Sequence, residues 1–179
     1  MIPWAPELPI LTERLELREH RASDVDDMLE FHSDPEVVRY VPWPVRTREQ
    51  VLEALKPRLT SNRVDKVGDW LNLAIVLRET NKDIGEVLMK CAAVDEGELG
   101  YALHAGYHGK GLAFEATSAM LRLGIEQFGL RRITAELDSR NTASAGLLER
   151  LGFTLHHSYP EEFKGEQTTA LEYEYLVER

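Results

Sequence analysis

The chain is short of cysteine, of positive charge and of long apolar runs, and each shortage removes a class of protein. Its single cysteine, Cys91, excludes an intrachain disulfide and a cysteine-rich zinc site. Lysine and arginine number 21 against 31 acidic residues, so the formal net charge is −10. A chain of that sign repels nucleic-acid backbones unless it carries a strong basic patch, and it shows no long Lys/Arg run. Cationic partners such as amines suit its field better. No apolar run reaches the ~20 residues of a membrane span. Met1-Ile-Pro-Trp shows no basic segment followed by an apolar stretch, so no secretory leader is expected and the cytoplasm is the expected compartment. Apolar residues at 43% and charged residues at 29% argue against disorder and collagen-like structure. Surface scaling gives a folded area of roughly 9,000 Å² against roughly 30,000 Å² unfolded, enough for one substantial core. Residues 1–179 are therefore expected to form a single domain.

What is present is periodic. Leu15 and Leu17 alternate with charged neighbours, a half-buried strand. Ser23 and Asp26 resemble a weak capping box ahead of the helical spacing Val25, Met28, Leu29. Asp34-Pro35 opens a turn or short helix through Tyr40, and Pro42-Trp43-Pro44 must be loop. Thr47 and Gln50 form a second box, with Val51, Leu52, Leu55 and Leu59 on the helix behind it and Pro57 kinking or ending it. Trp70 to Leu77 then alternates with a period of two. A turn at residues 80–83 leads to an antiparallel strand from Ile84 to Cys91. A turn at residues 95–97 leads to a third strand from Glu98 to His104. Leu112 to Phe128 reads as a long helix, with Phe114, Leu121, Ile125 and Phe128 on its dry side and Glu115, Arg122 and Glu126 on its wet side. Gly129 stops it. Arg132 to Asp138 is a strand, and Asn141 caps a helix running to Leu151 and Gly152. Phe153 to Tyr159 and Thr169 to Val177 close the fold as strands.

The chemistry gathers at Tyr107-His108-Gly109-Lys110-Gly111-Leu112-Ala113, between a strand and a helix. Gly109 and Gly111 permit unusual backbone angles and leave room for a ligand. The first amides of a helix lack intrahelical partners and sit at the positive end of its dipole, which suits a phosphate. Lys110 can add a point charge. The spacing is neither a Walker loop nor the dinucleotide fingerprint, and a plain strand-to-helix turn also accounts for it.

In context the segment resembles the acyl-CoA signature Arg/Gln-x-x-Gly-x-Gly/Ala of the GCN-five-related N-acetyltransferase (GNAT) superfamily, with His108 in the Arg/Gln place. The strand, Asn and short helix from Ile133 through Phe153 resemble that family's second block. Thr12-Glu13-Arg14-Leu15-Glu16-Leu17-Arg18 and Leu99-Gly100-Tyr101 resemble its ribosomal-protein alanine N-acetyltransferase branch, so the likeness spans nearly the whole chain. The resemblance implies an α/β (α+β) fold: a mixed, mostly antiparallel, twisted sheet of about six or seven strands flanked by about four helices. It implies acetyl-CoA as donor, its diphosphate on the amides of Gly109, Lys110, Gly111, Leu112 and Ala113. Pantetheine would lie along Leu103, His104 and Ala105, with a bulge there aiming an amide at the thioester oxygen. Asn141 would meet pantetheine or cap the helix beside it. Acyl transfer would be direct, with no enzyme-bound intermediate and no metal. Cys91 and the pair His156-His157 accordingly read as core and strand residues.

Two positions depart from the family. Where many members carry a tyrosine acid, this chain has Leu148, which belongs to an apolar set with Leu147 and Leu151. Ser144 lies on the same helix face, and the resembled branch uses a serine there to hydrogen-bond or relay a proton. For the general base, Glu98 matches a common family carboxylate position. His104, Glu86 and a water chain stay open beside it. Trp4, Trp43 and Trp70 read as core or rim, with Trp43 best placed as a substrate wall. The expected acceptor is a protein N-terminus or a small cationic amine. No nucleic-acid or membrane partner is expected, and a homodimer is left open. The rival reading is an acyl-CoA-binding sensor that has lost turnover.

Overall fold

A computed structural model describes residues 2–178; Met1, which opens the N-terminal stretch read above, lies outside them. The accessible surface is 9352 Å². One sheet of eight strands runs through the molecule: β1 (Ile10–Leu11), β2 (Leu15–Arg18), β3 (Trp70–Leu77), β4 (Lys82–Ala93), β5 (Glu96–Leu103), β6 (Arg132–Asp138), β7 (Thr154–Phe163) and β8 (Glu166–Leu176). The spatial order is β1-β2-β3-β4-β5-β6-β8-β7. Every neighbouring pair is antiparallel except β5 and β6, which are parallel. The helices are α1 (Val25–His32), α2 (Pro35–Val38), α3 (Arg48–Arg58), α4 (Leu112–Glu126) and α5 (Thr142–Leu151). This is the expected mixed, mostly antiparallel architecture, with eight strands and five α-helices among the described residues where about six or seven strands and about four helices were expected.

β3 is buried at every position from Leu71 to Val76, because both faces of the sheet are covered. Leu71, Leu73 and Ile75 share the main core with Met120 and Leu123 of α4. On the other face α1 and α3 pack a smaller core of Val25, Met28, Phe31, Val51 and Leu55. Burying such a side chain contributes roughly 1.5–3 kcal/mol.

Several local expectations are corrected. The Ser23–Asp26 box does not form. Asp24 instead accepts the Arg21 amide at 2.7 Å and grips the Arg18 guanidinium at 2.8 and 2.9 Å. The Thr47–Gln50 box does form, and α3 ends one residue after Pro57. Leu52 and Leu59 are 42% and 38% exposed, so α3 buries only Val51 and Leu55. Glu96 and Gly97 already belong to β5, and His104 lies just beyond it. The helix expected to reach Phe128 ends at Glu126. The last two strands start or end several residues beyond the expected limits, joining in a hairpin at Lys164-Gly165.

The feature that positions the site is the parallel seam. β5 and β6 pair only at Glu96↔Arg132, Gly97↔Ile133 and Glu98↔Thr134. Beyond Glu98 no further pairing joins them among the described residues, and the strands open into a notch. The mouth of α4 and the start of α5 both face it.

Candidate active site

The notch opens into a cleft of about 1350 Å³ that reaches both faces of the sheet. Its free edge is β5. The His104 amide donates to the Ile84 carbonyl at 2.7 Å. Main-chain groups alternate along a strand, so the Ala102 and Gly100 amides also point to β4, while those of Tyr101 and Leu103 point into the notch. The anticipated bulge at Leu103–Ala105 is not there. β4 and β5 stay in register from Gly85↔Leu103 to Cys91↔Gly97, and the irregularity lies at Cys91/Ala93. The separation of β5 from β6 frees the edge instead. His108, on the loop, donates from Nε2 to the Leu103 carbonyl at 2.7 Å and folds the loop back onto the strand. Leu103, Ala105 and His108 line the cleft. His104 is turned away: its Nδ1 accepts the Gly106 amide at 2.9 Å and its Nε2 lies 3.1 Å from Glu30.

At the mouth of α4, Gly109 and Gly111 have φ of +73° and +77°, the left-handed region that disfavours side chains. The amides of residues 109–113 make no hydrogen bond to the described protein. Gly109, Gly111, Leu112 and Ala113 face the cleft, whereas Lys110 reaches sideways, its Nζ 5.4 Å from the Tyr107 ring centroid. The loop is braced from behind. Glu115 accepts Thr12 Oγ1 at 2.6 Å, the Arg14 amide at 2.7 Å and Arg14 Nε at 2.8 Å. Arg14 NH1 in turn donates to the Lys110 carbonyl at 2.9 Å. Unpartnered amides without side chains in front of them, at a helix N-terminus, fit a diphosphate. The notch leading away from them fits a pantetheine arm.

α5 supplies the opposite wall. Asn141 accepts the Ser144 amide at 3.2 Å and caps the helix while lining the cleft. Ser144 Oγ lies 2.7 Å from the Tyr101 hydroxyl. Burial raises the Tyr101 hydroxyl above its ordinary range, so it stays protonated. Tyr101 carried no role in the sequence reading. The two residues lie 43 positions apart, so no local pattern joins them. Leu148 is buried and the Phe153 amide donates to its carbonyl at 3.0 Å, a helix-ending contact and no acid.

The other half of the cleft opens on the α1–α3 side. By register Trp70, Lys90 and Glu98 form one row across β3, β4 and β5, and Asn72, Leu88 and Gly100 form the next. Glu98 lines the cleft with Lys90 Nζ 3.7 Å away. Glu86 is fully buried and away from the cleft wall. Burial pushes its carboxyl up, but hydrogen bonds at 2.7 and 2.9 Å from Arg58 outweigh that and hold it at about 2. A carboxylate that acidic and that enclosed is a poor proton acceptor. Trp43 stacks on His32 at 5.3 Å with the Arg46 guanidinium 4.9 Å from its ring. Its loop is latched from the far hairpin, where Lys164 Nζ donates to the Trp43 carbonyl at 2.8 Å and the Val38 carbonyl at 2.5 Å. Trp70 sits at the rim, and Trp4 is fully buried in the core against Phe128. Phe114, expected on the dry side of α4, is 37% exposed and lines the cleft.

Among the described residues, His20, Asp24 and Asp83 bring metal-ligating atoms within 4.8 Å of one another. Both Asp24 oxygens already accept from Arg18, whose charge opposes a cation. No helix of the described residues is long and apolar enough to cross a membrane. His156 and His157 lie on exposed β7, and Cys91 is buried.

Residues 14–154 match the family model described as the acetyltransferase (GNAT) domain. The chain is 32% identical over 146 residues to the uncharacterized N-acetyltransferase p20 of Bacillus licheniformis, covering 80% of this chain and 81% of that one. It is 29% identical over 144 residues to the uncharacterized N-acetyltransferase YnaD of Bacillus subtilis (strain 168), with 80% and 81% covered. Among solved structures, a GNAT-family acetyltransferase from Bacillus anthracis superposes with a TM-score of 0.84 at 26% identity, covering 94% of this chain and 98% of that one. RimL, a ribosomal L7/L12 alpha-N-protein acetyltransferase solved with coenzyme A, shares the fold with a TM-score of 0.78 at 19% identity, covering 96% and 98%. Taken with the amide cradle at α4 and the notch beside it, these matches establish that the chain belongs to the GNAT acetyltransferase family and is an acetyl-CoA-dependent N-acetyltransferase.

Proposed function

We propose that this enzyme acetylates a primary amine, either a protein N-terminus or a small cationic amine, by direct attack within a ternary complex. Acetyl-CoA supplies the thioester carbonyl. The amides of Gly109, Lys110, Gly111, Leu112 and Ala113 hold its diphosphate, the Leu103–Ala105 edge holds the arm, His108 closes the loop and Asn141 borders it. The amine enters from the α1–α3 side. Its nitrogen bonds to the acyl carbon, the carbon–sulfur bond breaks, and Glu98 receives the ammonium proton directly or through water. Ser144, hydrogen-bonded to Tyr101, gives or relays a proton to the departing sulfur. The observation that carries this reading is the meeting of those three groups in one cleft, the hydroxyl pair and the carboxylate reaching it from opposite faces of the sheet. Positioning supplies ~7–11 kcal/mol and a base roughly 3–5 kcal/mol, so geometry dominates. The negative net charge agrees with a basic acceptor. We also infer that the chain works as one domain.

The test is thiol release from acetyl-CoA against N-terminal peptides, polyamines and aminoglycosides. Turnover is expected with at least one class. Glu98→Gln is expected to lower kcat by about 10²-fold while coenzyme A still binds by calorimetry. Full activity of that variant at every pH removes Glu98 from the mechanism.

A further inference from the structure

We infer that Asn72 is the hydrogen-bond donor of an acceptor subsite for an amine whose neighbouring carbon bears a carbonyl, as in the first residue of a peptide, and not for a polyamine. The inference rests on the acetyltransfer reading above and narrows its acceptor.

Asn72 is 7% exposed and lines the cleft. Its Oδ1 lies 2.8 Å from His20 Nε2. An amide oxygen can only accept, so the proton of that bond sits on His20 Nε2. Burial lowers the His20 pKa and keeps the ring neutral, in that one tautomer. With its oxygen held by His20, the Asn72 amide turns its NH2 the other way. That nitrogen has no protein partner among the described residues and is open to the cleft. A carbonyl oxygen entering the cleft takes the place of the water that otherwise satisfies it.

The surroundings choose between acceptor classes. Arg58 also faces the cleft, with three of its five N–H groups taken: Nε and one on NH2 by Glu86, and one on NH1 by the Ala54 carbonyl at 2.8 Å. Glu86 balances its charge, which makes it a poor seat for a free carboxylate but leaves N–H groups for a neutral oxygen. The outward NH2 of Asn72 and the edge of that guanidinium both offer donors, so this corner of the cleft favours an oxygen acceptor over a second ammonium, while the acids Glu36 and Glu136 line the cleft from α2 and β6. Trp43 and Trp70 stand on the same side of the cleft and can flank an apolar side chain. Glu98 lies on the same face as Asn72, one row and two strands away, roughly 12 Å between Cα atoms, a span that the Glu98 carboxylate, an amine, the adjoining carbonyl and the Asn72 amide fill as one hydrogen-bonded chain.

The experiment compares three acceptors: a short peptide, its isostere with a trans-alkene in place of the first peptide bond, and spermidine. In the wild type, kcat/KM is expected to be at least tenfold higher for the peptide than for either of the others. In Asn72→Asp and Asn72→Leu that ratio is expected to fall to about one, through KM, with coenzyme A affinity unchanged as the check on folding. His20→Leu should weaken the preference and His20→Gln, which keeps a donor, should restore it. Equal use of peptide and isostere by the wild type overturns the inference, as does a preference for spermidine. A preference that survives both Asn72 substitutions also overturns it. Absence of turnover with every amine defeats the acetyltransfer reading instead. Calorimetric binding of peptide against isostere to the coenzyme A-loaded protein then decides the subsite alone.

Discussion

The two ends of the cleft are built in different materials. The α4 end is main chain: consecutive amides from 109 to 113, shaped by two glycines with positive φ. The acceptor end is side chain: Trp43 from a loop, Arg58 from α3, Trp70 and Asn72 from β3, and Glu98 from β5. Apart from its two glycines, a main-chain cradle depends little on which side chains its residues carry, and the His108 side chain ties the loop to Leu103 from the Arg/Gln place. A side-chain wall has no such tolerance, because its shape depends on ion pairs and stacks brought from distant segments. With the ends used as proposed, the donor end is thus generic and the acceptor end particular.

That contrast can be broken at three points. The largest effect is expected from Glu86→Ala, which leaves the Arg58 guanidinium buried without its partner. Loss of one member of a buried pair costs roughly 3–5 kcal/mol, measurable as a lower urea midpoint. Coenzyme A affinity of the folded fraction should not change, and a large loss of it would erase the contrast. The same carboxylate sets a pH dependence. Its folded pKa of about 2 lies below the unfolded value of about 4.3, so its contribution is fully present above about 4.3 and is lost as pH falls through about 2. Acid unfolding of Glu86→Gln should be shallower in that window.

Next in size is Gly111→Val. A β-branched residue at φ +77° is strained, and its Cβ would meet Arg14 NH2 at 3.4 Å. Calorimetry should show coenzyme A binding weakened by about 100-fold, roughly 2.7 kcal/mol. Unchanged affinity would mean the diphosphate is held elsewhere. The smallest effect is expected from Lys164→Met, which removes two hydrogen bonds from the Trp43 loop but touches nothing at α4. Each bond contributes about 1 kcal/mol, so acceptor KM should rise several-fold while coenzyme A affinity stays constant. A change in the opposite pair of constants would place the latch at the donor end.

The same division decides what the sequence made legible. The glycine pair before α4, the Asn141 cap, the Thr47–Gln50 box and the alternation of β3 are local signals, and each lies within a few residues of what it specifies. The Tyr101–Ser144 contact, the Asn72–His20 bond and the Lys164 latch join residues 43 or more positions apart, and no local period reports them. Periodicity also cannot tell a core face from a cleft wall. Phe114 keeps helical spacing with the buried set of α4 yet faces the cleft. Local chemistry misleads where a distant charge competes. Asp24 caps with Arg21 rather than leaving the box to Ser23 and Asp26, because Arg18 holds it in place. The two closing strands were expected, but their extension into the long β7–β8 hairpin escaped because β7 is largely exposed and shows no apolar alternation.

The brace behind α4 gives the N-terminal strands a second duty. The family match begins at Arg14, but the Thr12 hydroxyl and the Arg14 main chain share one oxygen of Glu115. A fragment cut at that boundary would retain every glycine of the cradle and forfeit half of the strut that fixes where the cradle points. On the proposed reading of the cradle, the opening residues of this enzyme are therefore part of its nucleotide grip.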